Sequence, residues 1–242
     1  MTDPRMAIVV FARMSSSRLP GKVLMDFGGR PLLAHIIARA QALKNPVIVA
    51  TSDGSEDDEV AEAAQRHGAL AFRGSLDNVL KRAVDCAHAH ELDAFARLCG
   101  DRPYFPVGQM CDGLEQMRAA LLENRLLDLV TNHLPDSPPP GLSTEVVRVA
   151  ALERVLSGLP NARHREHLTS GLYDDAAVYQ MVPIACDFAE TRGHRFAVDT
   201  ADDYCRLGGV ARQLGDLSAS PEAVARLMDE QPDELRHPPS NN

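Results

Sequence analysis

A three-layer α/β domain around a mostly parallel sheet is the fold class the sequence predicts. Two observations carry it. Short apolar, β-branched runs alternate with segments whose apolar residues recur at helical spacing, the pattern of repeated strand–helix units. Several of those runs also stop abruptly at Gly, Ser, Thr or Asp, so polar side chains collect where strands end. The length of 242 residues suits one such domain with a substantial core.

Ala7 to Phe11 reads as the first strand, apolar enough to be covered on both faces. It empties into a loop carrying Arg13, Ser15, Ser16, Ser17, Arg18, Gly21 and Lys22. Cations, hydroxyls and a glycine in so short a loop suit a polyphosphate. Arg presents a planar fork of donors, Lys a compact charge, and Gly admits close backbone approach. At the carboxyl end of a parallel strand, such a loop lies where open α/β sheets bind ligands. The loop is neither a Walker A motif nor a Gly-x-Gly-x-x-Gly turn.

Leu32, Leu33, Ile36, Ile37, Ala40 and Leu43 then mark a helix of about three turns. Asp26-Phe27-Gly28 imitates a kinase motif, but its His-Arg-Asp companion is absent, so it is coincidence. Residues 46–53 form the second strand, with Asp53 or Ser55 expected to cap the next helix. The acidic run Glu56, Asp57, Asp58 and Glu59 reads as the solvated first turn of that helix, favoured by its dipole. A short strand near Leu70 to Phe72 leads through Arg73-Gly74-Ser75 to a helix over about 77–90.

The apolar strand before Gly100-Asp101-Arg102-Pro103 places one carboxylate at the carboxyl tip of the sheet. Residues 106–123 form an amphipathic helix packing Met110, Leu114, Met117 and Leu121, and 127–132 another strand. The proline-rich stretch 133–142 is a loop beside the site rather than a linker, because strand and helix resume at 144–150 and 151–157. His164-Arg165-Glu166-His167 has a metal-pair spacing but no third ligand nearby, so a hydrogen-bonded cap is the plainer reading. An apolar strand over 195–198 ends at Asp199, where Thr200 can cap the following helix and leave Asp199 free. Residues 1–216 thus make one domain, followed by a helical tail over 217–242.

Composition excludes several classes. A formal charge of −9 argues against a nucleic-acid surface, which needs a basic face. No apolar run approaches the length of a membrane span and no apolar leader opens the chain, so a cytoplasmic protein is expected. The five cysteines are dispersed, which reads as reduced thiols rather than a disulfide frame or zinc site.

The loop Ala12-Arg13-x-x-Ser16-x-Arg18-Leu19-Pro20-Gly21-Lys22 resembles the signature of the sugar-acid cytidylyltransferases. That family includes the CMP-KDO synthetases, the acylneuraminate cytidylyltransferases and their spore-coat polysaccharide relatives. Four further stretches are similar: Val49-Ala50-Thr51-Ser52-Asp53, Phe72 to Ser75 with Asn78 and Arg82, Gly100-Asp101-x-Pro103, and Val198-Asp199-Thr200-x-x-Asp203. Gly141 and Glu145 match a Gly-x-x-x-Glu-Val element near the sugar pocket, and Arg165-Glu166-His167 an Arg-Glu-His.

The resemblance implies a nucleotide-diphospho-sugar transferase-like, Rossmann-like domain. It implies transfer of CMP from CTP to a sugar acid, such as a nonulosonic or 3-deoxyoctulosonic acid, with release of pyrophosphate. Arg13, Arg18 and Lys22 would hold the triphosphate. Asp101 and Asp199 would bind Mg²⁺, a cation that takes hard oxygen ligands. Ala12, Ser16, Ser17, Thr51, Asp53, Ser75, Glu145, Arg165, Glu166 and His167 would contact nucleotide or acceptor, and a homodimer is expected. The alternatives left open are another nucleotide, a non-sugar acceptor such as a phosphonate, and a non-catalytic nucleotide-binding protein.

Overall fold

The computed structural model describes residues 3–215 and 218–230. Seven strands form one sheet: β1 (Met6–Phe11), β2 (Val47–Ser52), β3 (Leu70–Gly74), β4 (Ala94–Cys99), β5 (Leu129–Thr131), β6 (Glu145–Arg148) and β7 (Met181–Pro183). Their order is β3-β2-β1-β4-β6-β5-β7. β6 runs antiparallel to both its neighbours, β4 and β5, while the other ladders are parallel. The predicted α/β class and mostly parallel sheet are therefore found.

Nine α-helices accompany the strands among the described residues: α1 (Leu32–Gln41), α2 (Asp58–Arg66), α3 (Val79–Ala89), α4 (Val107–Leu122), α5 (Val149–Ser157), α6 (Ala162–Glu166), α7 (Ser170–Asp174), α8 (Ala201–Leu214) and α9 (Pro221–Glu230). The strand period of two divides the core. Ile8 and Val10 of β1 join the cluster that includes Leu33, Met110 and Val210, whereas Ala7 and Val9 join the one that includes Leu80, Val84 and Leu152. Helices cover both faces of the sheet, which explains why β1 is apolar at successive positions. α9 buries Val224, Ala225 and Met228 in the first cluster, so the tail helix packs into the domain core. The expected boundary after residue 216 falls at 216–217, outside the described residues.

Two expected elements differ. Residues 195–198 are not a strand: the segment is held by one backbone bond from Phe196 N to Pro140 O (2.7 Å) and one from Val198 N to Asp101 O (2.8 Å). Phe196 and Val198 are fully buried, so their apolar pattern reflects core packing rather than a ladder. Gly141 makes this packing feasible. A Cβ there would stand 2.4 Å from the Phe196 carbonyl carbon, and its φ of +97° is the left-handed region that favours glycine. Second, neither Asp53 nor Ser55 caps α2. A 3₁₀ turn over Ser55–Asp57 precedes that helix without a side-chain cap.

Candidate active site

The carboxyl ends of β1 and β4 lie side by side, with Phe11 opposite Cys99. Gly100 N donates to Phe11 O at 2.8 Å, and a Cβ on Gly100 would stand 2.8 Å from the Cβ of Ala12. Only glycine permits that approach, which brings the loop after β1 against the Gly100-Asp101 turn. The loop closes on itself through Gly21 N donating to Met14 O at 2.9 Å. Between these points Ser15, Ser17 and Arg18 are exposed, and Arg13 and Ser16 are half-buried.

Lys22 turns inward and is 7% exposed. Its Nζ donates to Asp101 Oδ2 at 2.8 Å, to the Val198 carbonyl at 2.8 Å and to Asp199 Oδ1 at 3.1 Å. Arg18 reaches the other Asp199 oxygen at 3.2 Å, and Arg195 pairs with it as well. Burial alone would raise the Asp199 carboxyl. Lys22, Arg18 and Arg195 outweigh it and hold the group below its ordinary value. The helix that follows has its own cap: Thr200 and Asp203 form a reciprocal capping box on α8. Asp199 is thereby left for the site, as the sequence suggested.

Asp101 and Asp199 converge on one ammonium from chain positions 98 residues apart (199 − 101). Among the described residues, no set of three or more His, Cys, Asp or Glu side chains is gathered to hold a metal by itself. Two hard carboxylates beside a loop carrying Arg13 and Arg18 nevertheless fit a cation such as Mg²⁺, which takes hard oxygen ligands.

A cleft of about 260 Å³ opens over this arrangement. Of the residues named from sequence, Ala12, Arg13, Ser16, Ser17, Arg18, Lys22, Asp101, Glu166 and His167 line it. Arg165 borders a neighbouring depression with Glu166 and Arg13. Glu145 lines a second cleft of about 410 Å³, with Arg102, His133 and Tyr173, on the far side of Arg97. The proline-rich loop contributes His133 and Ser137 to that second cleft.

Asp199, although bonded to Lys22 and Arg18, lines neither cleft, and the structure does not bring Thr51, Asp53 or Ser75 to either one. Thr51 is fully buried in β2 and Asp53 is exposed beyond its end. Ser75 is not the cap of α3, which is Asn78 accepting from Lys81 N. Its Oγ instead accepts from Asn78 N at 3.2 Å, and its carbonyl accepts from Arg82 Nη1 at 3.1 Å. In the His164–His167 run, Asn161 caps α6, and His164 Nε2 lies 2.9 Å from Asp174 Oδ2.

Asp57 and Arg97 were not apparent from sequence as functional candidates, and Arg82 stood there only as part of a family-like stretch. Asp57, expected in a solvated run, is fully buried. One of its oxygens accepts from Met14 N at 2.6 Å and the other from Ser52 N at 3.1 Å, with Ser52 Oγ also bonded. Burial opposes its ionisation, but the Met14 and Ser52 donors prevail and lower its pKa. It pins the loop after β1 to the end of β2. Arg82, 2% exposed, lines the cleft near Arg13; among the described residues neither forms an ion pair, and Arg82 Nε is buried without a partner. Arg97 also lines the cleft. A buried arginine is hard to foresee, since the residue type is ordinarily exposed.

A sheet whose carboxyl edge carries a cation-rich loop and two convergent carboxylates defines an α/β domain of the nucleotidyltransferase kind. The chain belongs to the cytidylyltransferase family, whose model matches residues 7–178. It is 27% identical over 246 residues to the spore coat polysaccharide biosynthesis protein SpsF of Bacillus subtilis, covering 93% of this chain and 94% of that protein. It is 32% identical over 161 residues to a 3-deoxy-manno-octulosonate cytidylyltransferase of Hahella chejuensis, covering 64% of this chain and 54% of that protein. Among solved structures, a cytidylyltransferase from Leptospira borgpetersenii has the same fold, with a TM-score of 0.85 at 23% identity over 99% of this chain and 100% of that one. No helix among the described residues is long and apolar enough to cross a membrane.

Proposed function

We propose that this chain transfers CMP from CTP to the hydroxyl of an anionic, sugar-like acceptor and releases pyrophosphate. The observation that carries the reading is the convergence of Asp101 and Asp199 on Lys22 beneath the loop bearing Arg13 and Arg18. The cytidylyltransferase family supports CTP as the donor. Sugar-acid acceptors are supported by the Hahella relative, and the basic second cleft, with Arg97, Arg102 and Arg163, agrees with an anion.

In this reading Arg13, Arg18 and Arg82 receive the triphosphate, and the loop backbone fixed by Asp57 keeps those charges in place. Asp101 and Asp199 would hold Mg²⁺, which when bound would neutralise phosphate charge and polarise the phosphoryl group. The acceptor oxygen forms a bond to the α-phosphorus as the α–β bridging bond breaks. Its electron pair leaves with pyrophosphate and the hydroxyl proton passes to water. In the same reading Lys22 and Arg18 offset charge growing on the leaving group. Preorganised charge of this kind, with positioning, supplies most of the acceleration in phosphoryl-type transfers. A cytoplasmic location and a homodimer belong to the same proposal.

Pyrophosphate release is the test, measured with each of the four ribonucleoside triphosphates, Mg²⁺ and a panel of sugar acids. Release with CTP and at least one acid is expected. Turnover with another triphosphate only, or none with any acid, overturns the reading.

A further inference from the structure

The two clefts share two lining residues, Arg97 and His167. Arg97 is the one with a permanent charge. It stands on β4 directly across from Glu145 on β6, and the two form an ion pair with side-chain exposures of 15% and 3%. The second Glu145 oxygen accepts from the Tyr173 hydroxyl at 2.9 Å, and that hydroxyl lies 2.8 Å from Thr131 Oγ1. Arg97 Nη1 donates to Glu145, while Nε is buried with no partner among the described residues.

Such a pair is a poor way to stabilise a sheet. Desolvating both ions cancels most of their attraction, and apolar residues of similar volume do as well or better. What the arrangement does provide is a guanidinium aimed by a fixed carboxylate, with donor capacity left over, at the seam between two clefts.

We propose that Arg97 binds the α-phosphoryl group and stabilises its transition state, with Glu145 as the positioning residue that orients it. The inference rests on the transfer reading above. In that reaction the α-phosphorus must lie between the cleft that holds the nucleotide and the cleft from which the acceptor attacks, which is where Arg97 sits. A planar donor fork suits equatorial phosphoryl oxygens better than a point charge.

The test is calorimetric titration of the intact chain with cytidine, CMP and CTP, for wild type, Arg97→Met and Arg97→Lys. In wild type, CMP is expected to bind more tightly than cytidine. Arg97→Met should erase tenfold or more of that gain, yet keep the further gain from CMP to CTP within about threefold. Its kcat should fall by about a hundredfold or more, the scale of losing one preorganised donor, with a smaller change in KM for CTP. Arg97→Lys should recover less than a tenth of the lost kcat. Glu145→Gln should keep the CMP gain in part and lower kcat about tenfold.

Because Arg97→Met strands a buried carboxylate, the Arg97→Met/Glu145→Gln double variant removes both charges and serves if the single one does not fold. An unchanged cytidine-to-CMP gain in a folded Arg97 variant overturns the proposal and leaves Arg97 a cross-strand partner only. A wild type that prefers another base overturns the cytidylyl reading instead. The same three-step series with that base's nucleotides then decides the role of Arg97.

Discussion

The ammonium of Lys22 lies 2.8 Å from Asp101 Oδ2 and 3.1 Å from Asp199 Oδ1, so one buried cation joins the two carboxylates proposed to bind Mg²⁺. With the Val198 carbonyl as the third partner, its three donors are all engaged inside the protein. Lys22 therefore does more than wait for phosphate. It neutralises an acidic pair that would otherwise repel itself, and it ties the 198–199 segment to the loop.

Replacing it by methionine should expose that role. Lys22→Met is expected to lower kcat by about a hundredfold or more, as for loss of one preorganised charge. Without nucleotide, added Mg²⁺ should raise the melting temperature of the variant more than that of wild type, because the cation takes over the neutralising task. Thermal unfolding across Mg²⁺ concentrations reads this directly. An equal response in both proteins would show that Lys22 and the metal do not compete for the same carboxylates.

The aspartates themselves should separate folding from turnover. Asp199→Asn leaves the Thr200–Asp203 capping box in place, so α8 should remain folded. Turnover should drop by about a hundredfold or more, because an amide cannot offset a divalent cation as a carboxylate does. Asp101→Asn should behave alike. Circular dichroism and pyrophosphate release over a Mg²⁺ series are the measurements, and near-wild-type activity of Asp199→Asn would reduce it to a structural partner of Arg18 and Arg195.

Asp57 acts at one remove from the substrate. Asp57→Ala removes the acceptor of Met14 N and of Ser52 N and leaves both donors unsatisfied, Ser52 N in buried and Met14 N in half-buried surroundings. A loss of about 1–3 kcal/mol in stability is expected for each stranded donor. The released loop should raise KM for the triphosphate more than it lowers kcat. Denaturant unfolding and steady-state kinetics check the two halves, and an unchanged KM would show that the loop keeps its shape without this anchor.

How much of this was legible depended on what each residue type ordinarily does. β1 and β2 were visible because apolar, β-branched runs ended at polar residues, and β4 because a largely apolar run stopped at Gly100-Asp101; the site follows from where they end. Asp101 and Asp199 were visible as motifs, although their meeting at Lys22 required the 198–199 segment to dock on the Asp101 turn. The 195–198 run misled, since a buried irregular segment and a strand share the same apolar pattern. β7, three residues long and ending in Pro183, is too short to show a period. Asp57 and Arg97, and the burial of Arg82, were hidden for one reason. Charged residues are expected outside, and only the packing of β2, α3 and β4 shows them inside.

The buried Arg97–Glu145 pair also sets an acid limit. Burial alone would raise the Glu145 carboxyl, but Arg97 prevails and brings it from about 4.5 down to about 2. A carboxylate depressed on folding adds stability that is fully present above its unfolded value and is lost as pH falls through the folded one. The contribution should therefore be complete above about pH 4.5 and fade towards pH 2. Glu145→Gln has nothing to titrate there. It should melt several degrees below wild type at pH 6, where Arg97 has lost its partner, and the gap should hold until about pH 4.5 and narrow below it. Asp57 and Asp199 are also depressed but unfold with either protein, so they tilt both curves and cancel in the difference. Melting temperatures of the two proteins between pH 6 and pH 3 provide that difference curve. A gap that stays constant across the range would mean that Glu145 titrates alike folded and unfolded, and the pair would then lack the electrostatic coupling that aims Arg97.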